Sequence, residues 1–346
     1  MATPLPWAST TIAWPRRISA AFTPLDKLTA LYTVCSASIL IGQSVGRFGT
    51  PMAHTEIGWL LVAHLLLLVL VGLASEARRR AEAKGCVLAD WYPLFILTAV
   101  YGSVGLLNGP RALSGFSFDS TVQHWEAATF GRQLAYDWSR NASRPALSWA
   151  LGLSYLLFFP TVILAPAALW WKGHRARARQ TIFGISLVFL TCYLLFLVFP
   201  VAGPSYLWGW PTPGAGSDFP TRMVRQLIDD GDSWGSAFPS SHVAASAAAV
   251  LLALKHWRAL GWLLLPIAAG IFVGVVYFQV HYAMDAVAGL AIALMAVWAT
   301  PPPRAAGRSP QLNSWGRPSP GAAASARLLP RHSRARLPTL RAARPP

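Results

Sequence analysis

Long blocks of apolar residues, each close to the length of a membrane-spanning helix, dominate this sequence of 346 residues. Hydrophobic residues make up 54% of the chain and charged residues only 12%, whereas a soluble domain carries about a quarter charged residues. A helix of about 20 apolar residues crosses a hydrocarbon core and satisfies its own backbone hydrogen bonds there. The blocks are too long and uniform for barrel strands. The sequence therefore predicts an all-α, polytopic transmembrane helical bundle.

The blocks predict about eight membrane spans. These cover residues 28–46, 57–75, 91–108, 147–170, 181–201, 242–255, 260–278 and 282–299. With eight spans, five segments rich in Lys and Arg fall on one side: the N-terminal segment, three connections between spans and the C-terminal tail. Because basic loops stay in the cytoplasm, both termini are expected to be cytoplasmic.

The same layout divides the chain into four parts. Residues 1–26 form a cytoplasmic N-terminal segment, 27–90 two extra spans with a basic loop, 91–300 the main membrane domain, and 301–346 a disordered basic tail rich in Pro, Arg and Ala. The net charge of +16 lies in loops and tail instead of on one face interleaved with aromatic residues. The membrane is therefore the expected partner, and nucleic acid is not. The oligomeric state is left open.

Two polar motifs border the last spans. Residues 238–242 read Phe-Pro-Ser-Ser-His, and residues 281–285 read His-Tyr-Ala-Met-Asp. Because positions i and i+4 share a helix face, Asp285 is expected to contact His281 and to fix its imidazole tautomer. A carboxylate at membrane depth usually serves a function. Ordinary helix capping is the alternative explanation of both motifs.

The spacing of the motifs places them on the same side of the membrane. His242 and His281 are 39 residues apart, about the length of one hairpin of two spans. The start of the sixth span offers free N–H groups and a positive dipole end, which suit a phosphate. Ser241 and His242 are then expected to face a bound anion on the outer side.

These motifs resemble the type 2 phosphatidic acid phosphatase superfamily, especially its branch that includes inositol phosphorylceramide synthases. The matching stretches are Phe238 to Val243 and His281 to Gly289. Upstream, Phe199 to Pro204 resembles the proline-rich segment of the family, and Asp119 to Gly131 resembles an outer-loop segment. The resemblance covers about residues 90–300, so it implies a phosphatase-like membrane catalytic domain over 91–300.

The resemblance also implies a role for each motif residue. His281 would be the nucleophile that forms a phosphohistidine, Asp285 would orient and charge-stabilise it, and His242 would protonate the leaving oxygen. Ser241, with Ser240 beside it, would hold the phosphoryl oxygens. Two-step covalent transfer of this kind needs no metal ion and no cofactor.

The sequence departs from the superfamily in its basic residues. Val275 stands where the superfamily has an Arg six residues before the second His, and Ser205 where an Arg often follows the proline-rich segment. Cations normally neutralise the charge of a transferring phosphoryl group. The expected replacements are Arg222 and Arg225, and more distantly Arg132.

The sequence thus predicts an integral membrane lipid-phosphate phosphatase or phosphotransferase with an extracytoplasmic site, in the plasma membrane if the source is bacterial. Its substrate would be a phospholipid or prenyl phosphate that enters from the bilayer, with water or an alcohol as acceptor. The alternative is a non-catalytic lipid-phosphate binding or transport protein on the same scaffold. The missing cations favour this alternative, and the His281–Asp285 pair argues against it. A third interpretation is a polytopic protein whose helix caps only look like motifs.

Overall fold

The computed structural model describes residues 22–44, 54–81, 87–141, 144–211 and 218–302. Within these ranges there are thirteen helices and no strands, as the all-α prediction requires. They are α1 Pro24–Ser44, α2 His54–Ala81, α3 Val87–Ser114, α4 Asp119–Phe130, α5 Leu134–Asn141, α6 Pro145–Leu156, α7 Phe158–Trp171, α8 Arg175–Val198, α9 Pro204–Trp208, α10 Phe219–Gly231, α11 Ser241–His256, α12 Arg258–Tyr277 and α13 Ala283–Ala299. Most of the predicted N-terminal segment, part of the first basic loop and almost all of the tail lie outside the described residues.

Each of the eight predicted spans has a helix at its position. Five helices, α1, α2, α3, α8 and α12, are long and apolar enough to cross a membrane, and α6 with α7 makes a sixth if the pair is one broken span. The other two, α11 and α13, have 16 and 17 residues, which rise only about 24 and 26 Å. The count of eight spans and the orientation of the termini stay predictions.

The fourth predicted span is not one continuous helix. It bends by 47° between α6 and α7, next to Leu157. Pro160 explains the break, because it has no N–H to donate to the carbonyl of Leu156. The rings of Tyr155 and Phe158, on either side of the bend, lie against the His242 ring with centroid distances of 5.2 and 4.6 Å. The bend therefore borders the motif region.

Helix α11 lies at the centre of the bundle. It packs against α7, α8, α12 and α13, and most of its side chains are buried Ala, Ser and Val. Small side chains let helix backbones approach closely. Such packing holds helices together in a membrane, where the hydrophobic effect does not drive their association. Burial differs among the long helices: 67% of the apolar stretch of α8 is buried, but only 22% of that of α2. Because α11 is enclosed by protein, its shortness does not expose its ends to lipid.

Polar contacts of two buried carboxylates join the first three helices to one another and to α8. Asp26 forms an ion pair with Arg78 and accepts a hydrogen bond from the Tyr92 hydroxyl at 2.8 Å. Asp90 pairs with Arg179 of α8 at 2.9 Å. These contacts lie near the N-terminal ends of α1, α3 and α8. The motifs lie towards the other end of α8. Unpairing either buried carboxylate would be costly.

Gly289 marks the point where α13 crosses the start of α11. A Cβ there would lie under 3.0 Å from the carbonyl oxygen of Ser240, so backbone must move to admit it. Gly289→Ala should therefore destabilise the protein by about 1–3 kcal/mol, seen as a lower midpoint of thermal unfolding in detergent. Gly102→Ala in α3 is the matched control, since nothing lies within 4 Å of its added Cβ. Equal midpoints for the two variants would contradict the close crossing.

Candidate active site

The two motifs meet where α11 and α13 begin. The Ser240 side chain caps α11 by accepting a hydrogen bond from the Val243 N–H at 3.4 Å. The N–H of Ser240 donates to the carbonyl oxygen of Asp285 at 2.9 Å, which ties one motif to the other. The rings of His242 and His281 are 5.7 Å apart between centroids. The structure thus brings His242, His281, Asp285, Ser240 and Ser241 into one site.

The imidazole of His281 has a defined tautomer. Its Nδ1 lies 2.8 Å from the carbonyl oxygen of Ala237. A carbonyl oxygen can only accept, so Nδ1 carries the proton and Nε2 keeps its lone pair. The residue is only 4% exposed, and its Nε2 has no hydrogen-bond partner among the described residues. This arrangement leaves Nε2 free to act as a nucleophile or to accept a hydrogen bond from a ligand.

The contact of Asp285 with His281 differs from the expected one. Its Oδ2 lies 3.6 Å from Nδ1 of His281, which is beyond hydrogen-bonding distance. That oxygen instead accepts a hydrogen bond from the Tyr282 N–H at 2.8 Å, as part of a helix cap. The two side chains thus come close, as their i, i+4 spacing predicted, but they make no hydrogen bond, because α13 begins at Ala283, after His281. The Ala237 carbonyl therefore fixes the tautomer, and Asp285, whose Oδ1 has no hydrogen-bond partner among the described residues, adds a nearby carboxylate.

His242 is held between aromatic rings at the other side of the site. Its Nε2 lies 3.3 Å from the hydroxyl oxygen of Tyr155, and its Nδ1 has no partner among the described residues. Ser241 and His242 line one end of a cavity of about 310 Å³. Two neighbouring imidazoles thus each keep one buried nitrogen that no described residue pairs with, and such groups are rare in folded proteins without a ligand or water.

A second carboxylate, to which sequence reasoning gave no role, also acts on the site. Asp232 accepts hydrogen bonds from the hydroxyls of Tyr101 and Ser236, the latter at 3.1 Å. Desolvation raises the pKa of Asp232, and the hydrogen bond from Tyr101 and the charge of His281 oppose this rise. No sequence signal pointed to it, because it pairs with Tyr101 across 131 residues. Among the described residues, the charged groups that act on or lie beside His281 are therefore the carboxylates of Asp232 and Asp285.

Two carboxylates on α4 hold the start of α13. Asp119 accepts hydrogen bonds from the amides of residues 202 and 203 and from the Tyr282 hydroxyl. Seven residues further along, Glu126 accepts from the Ala283 N–H at 2.7 Å. Desolvation raises the pKa of Glu126, although its hydrogen bonds from backbone N–H groups lower it. The segment that resembles the family's outer loop therefore positions the second motif.

Gln279 connects the turn before the second motif to the outer helices. Its side-chain oxygen accepts hydrogen bonds from the Ser139 hydroxyl and the Arg140 guanidinium, both at 2.8 Å. Its side-chain nitrogen donates to the carbonyls of Pro204 and Gly209. The backbone of Gln279 is left-handed, with a φ of 62°. Arg140, which the sequence did not single out, thus contacts a residue two positions before the motif histidine.

The arginines that the sequence proposed as replacements have other contacts. Arg225 is half-buried with its guanidinium 5.5 Å from the Trp210 ring centre, Arg132 pairs with Asp137, and Arg222 is exposed on α10. Within the described ranges, no hydrogen bond or ion pair joins Arg132 or Arg225 to either motif. These ranges also contain no group of three or more His, Cys, Asp or Glu side chains that could hold a metal ion.

Comparison with protein families agrees with this geometry. A family model described as PAP2 superfamily (PAP2_3) matches residues 121–299, which is more than half of the chain. The chain belongs to the PAP2 superfamily. The matched region contains both motifs and most of α4, and the superfamily generally comprises phosphatases and phosphotransferases. The predicted superfamily is confirmed, and the inositol phosphorylceramide synthase branch stays a prediction. Comparison with curated proteins and with solved structures found no match.

The burial of His281 in this PAP2 site predicts a pH-dependent stability. Burial lowers the pKa of His281 to about 4, although Asp232 and the Ala237 carbonyl act to raise it. Between about pH 6.5 and 4 the unfolded chain binds a proton at this residue and the folded chain does not. The free energy of unfolding should therefore fall by about 3 kcal/mol as the pH drops through this window.

The test follows thermal unfolding in detergent from pH 7.5 to 4.5. His281→Gln should lose less stability than the wild type over this range. The control, His124→Gln, replaces an exposed histidine of α4 and should lose as much as the wild type. Equal losses in His281→Gln and the wild type would contradict the lowered pKa.

Proposed function

We propose that this PAP2 protein transfers the phosphoryl group of a phosphorylated or pyrophosphorylated lipid through a phosphohistidine on His281. The observation that supports this most is the state of the imidazole, whose Nδ1–H donates to the Ala237 carbonyl and whose buried Nε2 has no hydrogen-bond partner in the described part of the chain. A buried nitrogen without a hydrogen bond costs about 1–3 kcal/mol. A phosphorylated ligand that reacts there would account for it.

The first step transfers the phosphoryl group to the protein. The lone pair on Nε2 of His281 attacks phosphorus, and the bond from phosphorus to the lipid's leaving oxygen breaks. His242, in its protonated form, gives its proton to that oxygen. Ser241 and the N-terminus of α11 hold the remaining phosphoryl oxygens. The proposed nucleophile, acid and phosphate-binding groups all come from the protein, so the proposed reaction is independent of metal ions and cofactors.

The second step releases the phosphoryl group to an acceptor. An oxygen of water or of an alcohol attacks phosphorus, its proton goes to His242, and the phosphorus–nitrogen pair returns to Nε2 of His281. Water makes the protein a phosphatase, and an alcohol makes it a phosphotransferase. The resemblance to the inositol phosphorylceramide synthase branch favours the alcohol.

The proposal places the site at the outer leaflet. The eight-span topology with cytoplasmic termini puts both motifs on the extracytoplasmic side, because the basic connections then all lie inside. A phospholipid or prenyl phosphate would reach His281 from the bilayer. In a bacterial source this membrane would be the plasma membrane.

A lipid-phosphate binding or transport protein is the second candidate. Val275 lacks the positive charge of the superfamily's arginine, and the Asp232 and Asp285 carboxylates near His281 disfavour an anion when ionised. Protonation of Asp232, which its raised pKa favours, would weaken this repulsion. The argument against a binding protein is the family's chemistry together with two outer-loop arginines. If Arg222 or Arg225 moves inward, it would supply the missing positive charge.

The test is phosphate release by the purified protein in detergent with a chelator present. The lipids are phosphatidic acid, diacylglycerol pyrophosphate and undecaprenyl pyrophosphate, each with and without an added alcohol. Wild type should turn over at least one of them, and His281→Ala should be slower by at least about 10³-fold, as expected for loss of a nucleophile. His124→Ala, at an exposed position of α4, is the matched control and should keep full activity.

Each other outcome has a distinct meaning. Activity that survives His281→Ala would rule out the phosphohistidine. Retention of intact lipid phosphate by folded wild type, with no product from any lipid or alcohol, would establish the binding protein instead. Loss of activity on addition of the chelator would contradict independence of metal ions.

A further inference from the structure

Four helix ends meet at the face of the bundle that lies opposite the motifs. Helices α7 and α11 end there, and α8 and α12 begin there. The guanidinium of Arg177 donates a hydrogen bond to the carbonyl oxygen of His256 at 3.4 Å, which joins the α7–α8 connection to the α11–α12 connection. The predicted topology places both connections in the cytoplasm. The sixteen residues of α11 separate this face from the first motif by about 24 Å.

Four exposed cations lie at these helix ends and form what we call the basic corner: Lys172, Arg177, Lys255 and Arg258. The Nζ of Lys172 lies 3.7 Å from the centre of the Trp257 ring, so the end of α7 reaches the start of α12. His256 follows the predicted span 242–255, and burial, together with the charges of Lys255 and Arg177, lowers its pKa to about 4. Because both charges act on one imidazole, the cations of α8 and α11 share a small region.

No carboxylate neutralises the basic corner in the part of the chain that the structure describes. The described carboxylates on this side of the bundle are Asp26, Glu76 and Asp90, and each pairs with an arginine outside the corner. Of the acidic residues in the whole sequence, only Glu82 falls outside the described ranges. Positive charges held close together repel one another. The corner is therefore suited to an anionic partner.

The two helices that begin at the corner add backbone donors to its cations. The residues that precede α8 and α12, His174 and Trp257, make no side-chain hydrogen bond to the first turn. The first N–H groups of a helix have no partner within the helix, and the positive end of its dipole favours a phosphate. These N–H groups thus reinforce the attraction that the four side chains exert on an anion.

Exposed tryptophans place the corner at the level of lipid head groups. Trp171 directly precedes Lys172, and it is 84% exposed. Trp262 is 57% exposed and lies one turn after Arg258, on the same face of α12. Tryptophan is enriched at the boundary between membrane and water. The anions nearest to the corner are therefore the head groups of membrane lipids.

We infer that the basic corner binds the phosphate of an anionic phospholipid in the cytoplasmic leaflet. The inference does not depend on the proposed reaction, because the corner and the motif histidines lie at opposite ends of α11. Hydrogen bonds from lysine or arginine to phosphate are about twice as strong as those between neutral groups. The C-terminal segment 303–346 has no acidic residue, so it offers the corner no counter-charge. A bound lipid would link the two connections by neutralising the cations of both.

The experiment titrates the full chain in detergent with phosphatidylglycerol or phosphatidylcholine and counts bound lipid by native mass spectrometry. Wild type should bind phosphatidylglycerol at least fivefold more tightly than phosphatidylcholine. Lys255→Gln combined with Arg258→Gln removes two of the four charges and should weaken phosphatidylglycerol binding at least fivefold. A large excess of glycerol 3-phosphate should not displace the lipid. Displacement would assign the corner to soluble phosphates and overturn the inference.

Two further variants separate the basic corner from positive charge in general. Lys27→Gln combined with Arg80→Gln removes the same charge from exposed positions of α1 and α2 and should leave binding unchanged. Lys255→Arg combined with Arg258→Lys keeps the charge of the corner and should keep the binding. Equal weakening in both glutamine pairs, or equal affinity of wild type for the two lipids, would reject the corner as a lipid site.

The salt dependence of wild-type binding gives a test that needs no variant. Raising the salt concentration from about 0.1 to about 1 M should weaken phosphatidylglycerol binding at least fivefold, because salt screens exposed charges. Phosphatidylcholine, which has no net charge, should be affected less. Binding of phosphatidylglycerol that does not change with salt would contradict recognition by the four cations.

Discussion

The backbone hydrogen bond from the Ser240 N–H to the Asp285 carbonyl oxygen joins two motifs that are far apart in the chain. It requires α11 and α13 to cross closely, and Gly289 with the small side chains of α11 permits that crossing. The crossing encloses the motif histidines in protein. Buried polar atoms are usually hydrogen-bonded. Nδ1 of His281 donates to a backbone carbonyl, whereas its Nε2 has no hydrogen-bond partner within the described ranges.

The helices of the bundle were predictable because length and apolar composition decide membrane helices almost alone. The same criterion missed α4, α5, α9 and α10, since short outer helices have no long apolar run and are set by contacts with the rest of the protein. The bend at Leu157 was visible in the sequence as Pro160, but an apolar block reads as continuous when only hydropathy is considered. Apolar composition thus predicts that a helix is present at a position better than it predicts whether that helix is continuous.

The site was predictable where side chains carry the chemistry and not where the backbone or distant residues do. His242, His281 and Asp285 form recognisable spacings, so sequence reasoning brought them together. The Ala237 carbonyl has no side-chain signature, because every residue has one. Asp232 is recognised only through Tyr101, far away in the chain. Such long-range pairs follow from how helices pack, which a single sequence does not reveal.

The turn before the second motif puts two opposing demands on Gln279. Its left-handed backbone favours glycine or asparagine and costs a glutamine about 1–3 kcal/mol. Its four side-chain hydrogen bonds need the full length of glutamine, which asparagine lacks and glycine cannot replace. A glycine or an asparagine there therefore removes the hydrogen bonds that Ser139 and Arg140 donate to Gln279. Any change at Gln279 therefore exchanges backbone strain for the loss of side-chain hydrogen bonds to α5 and to residues 204–209.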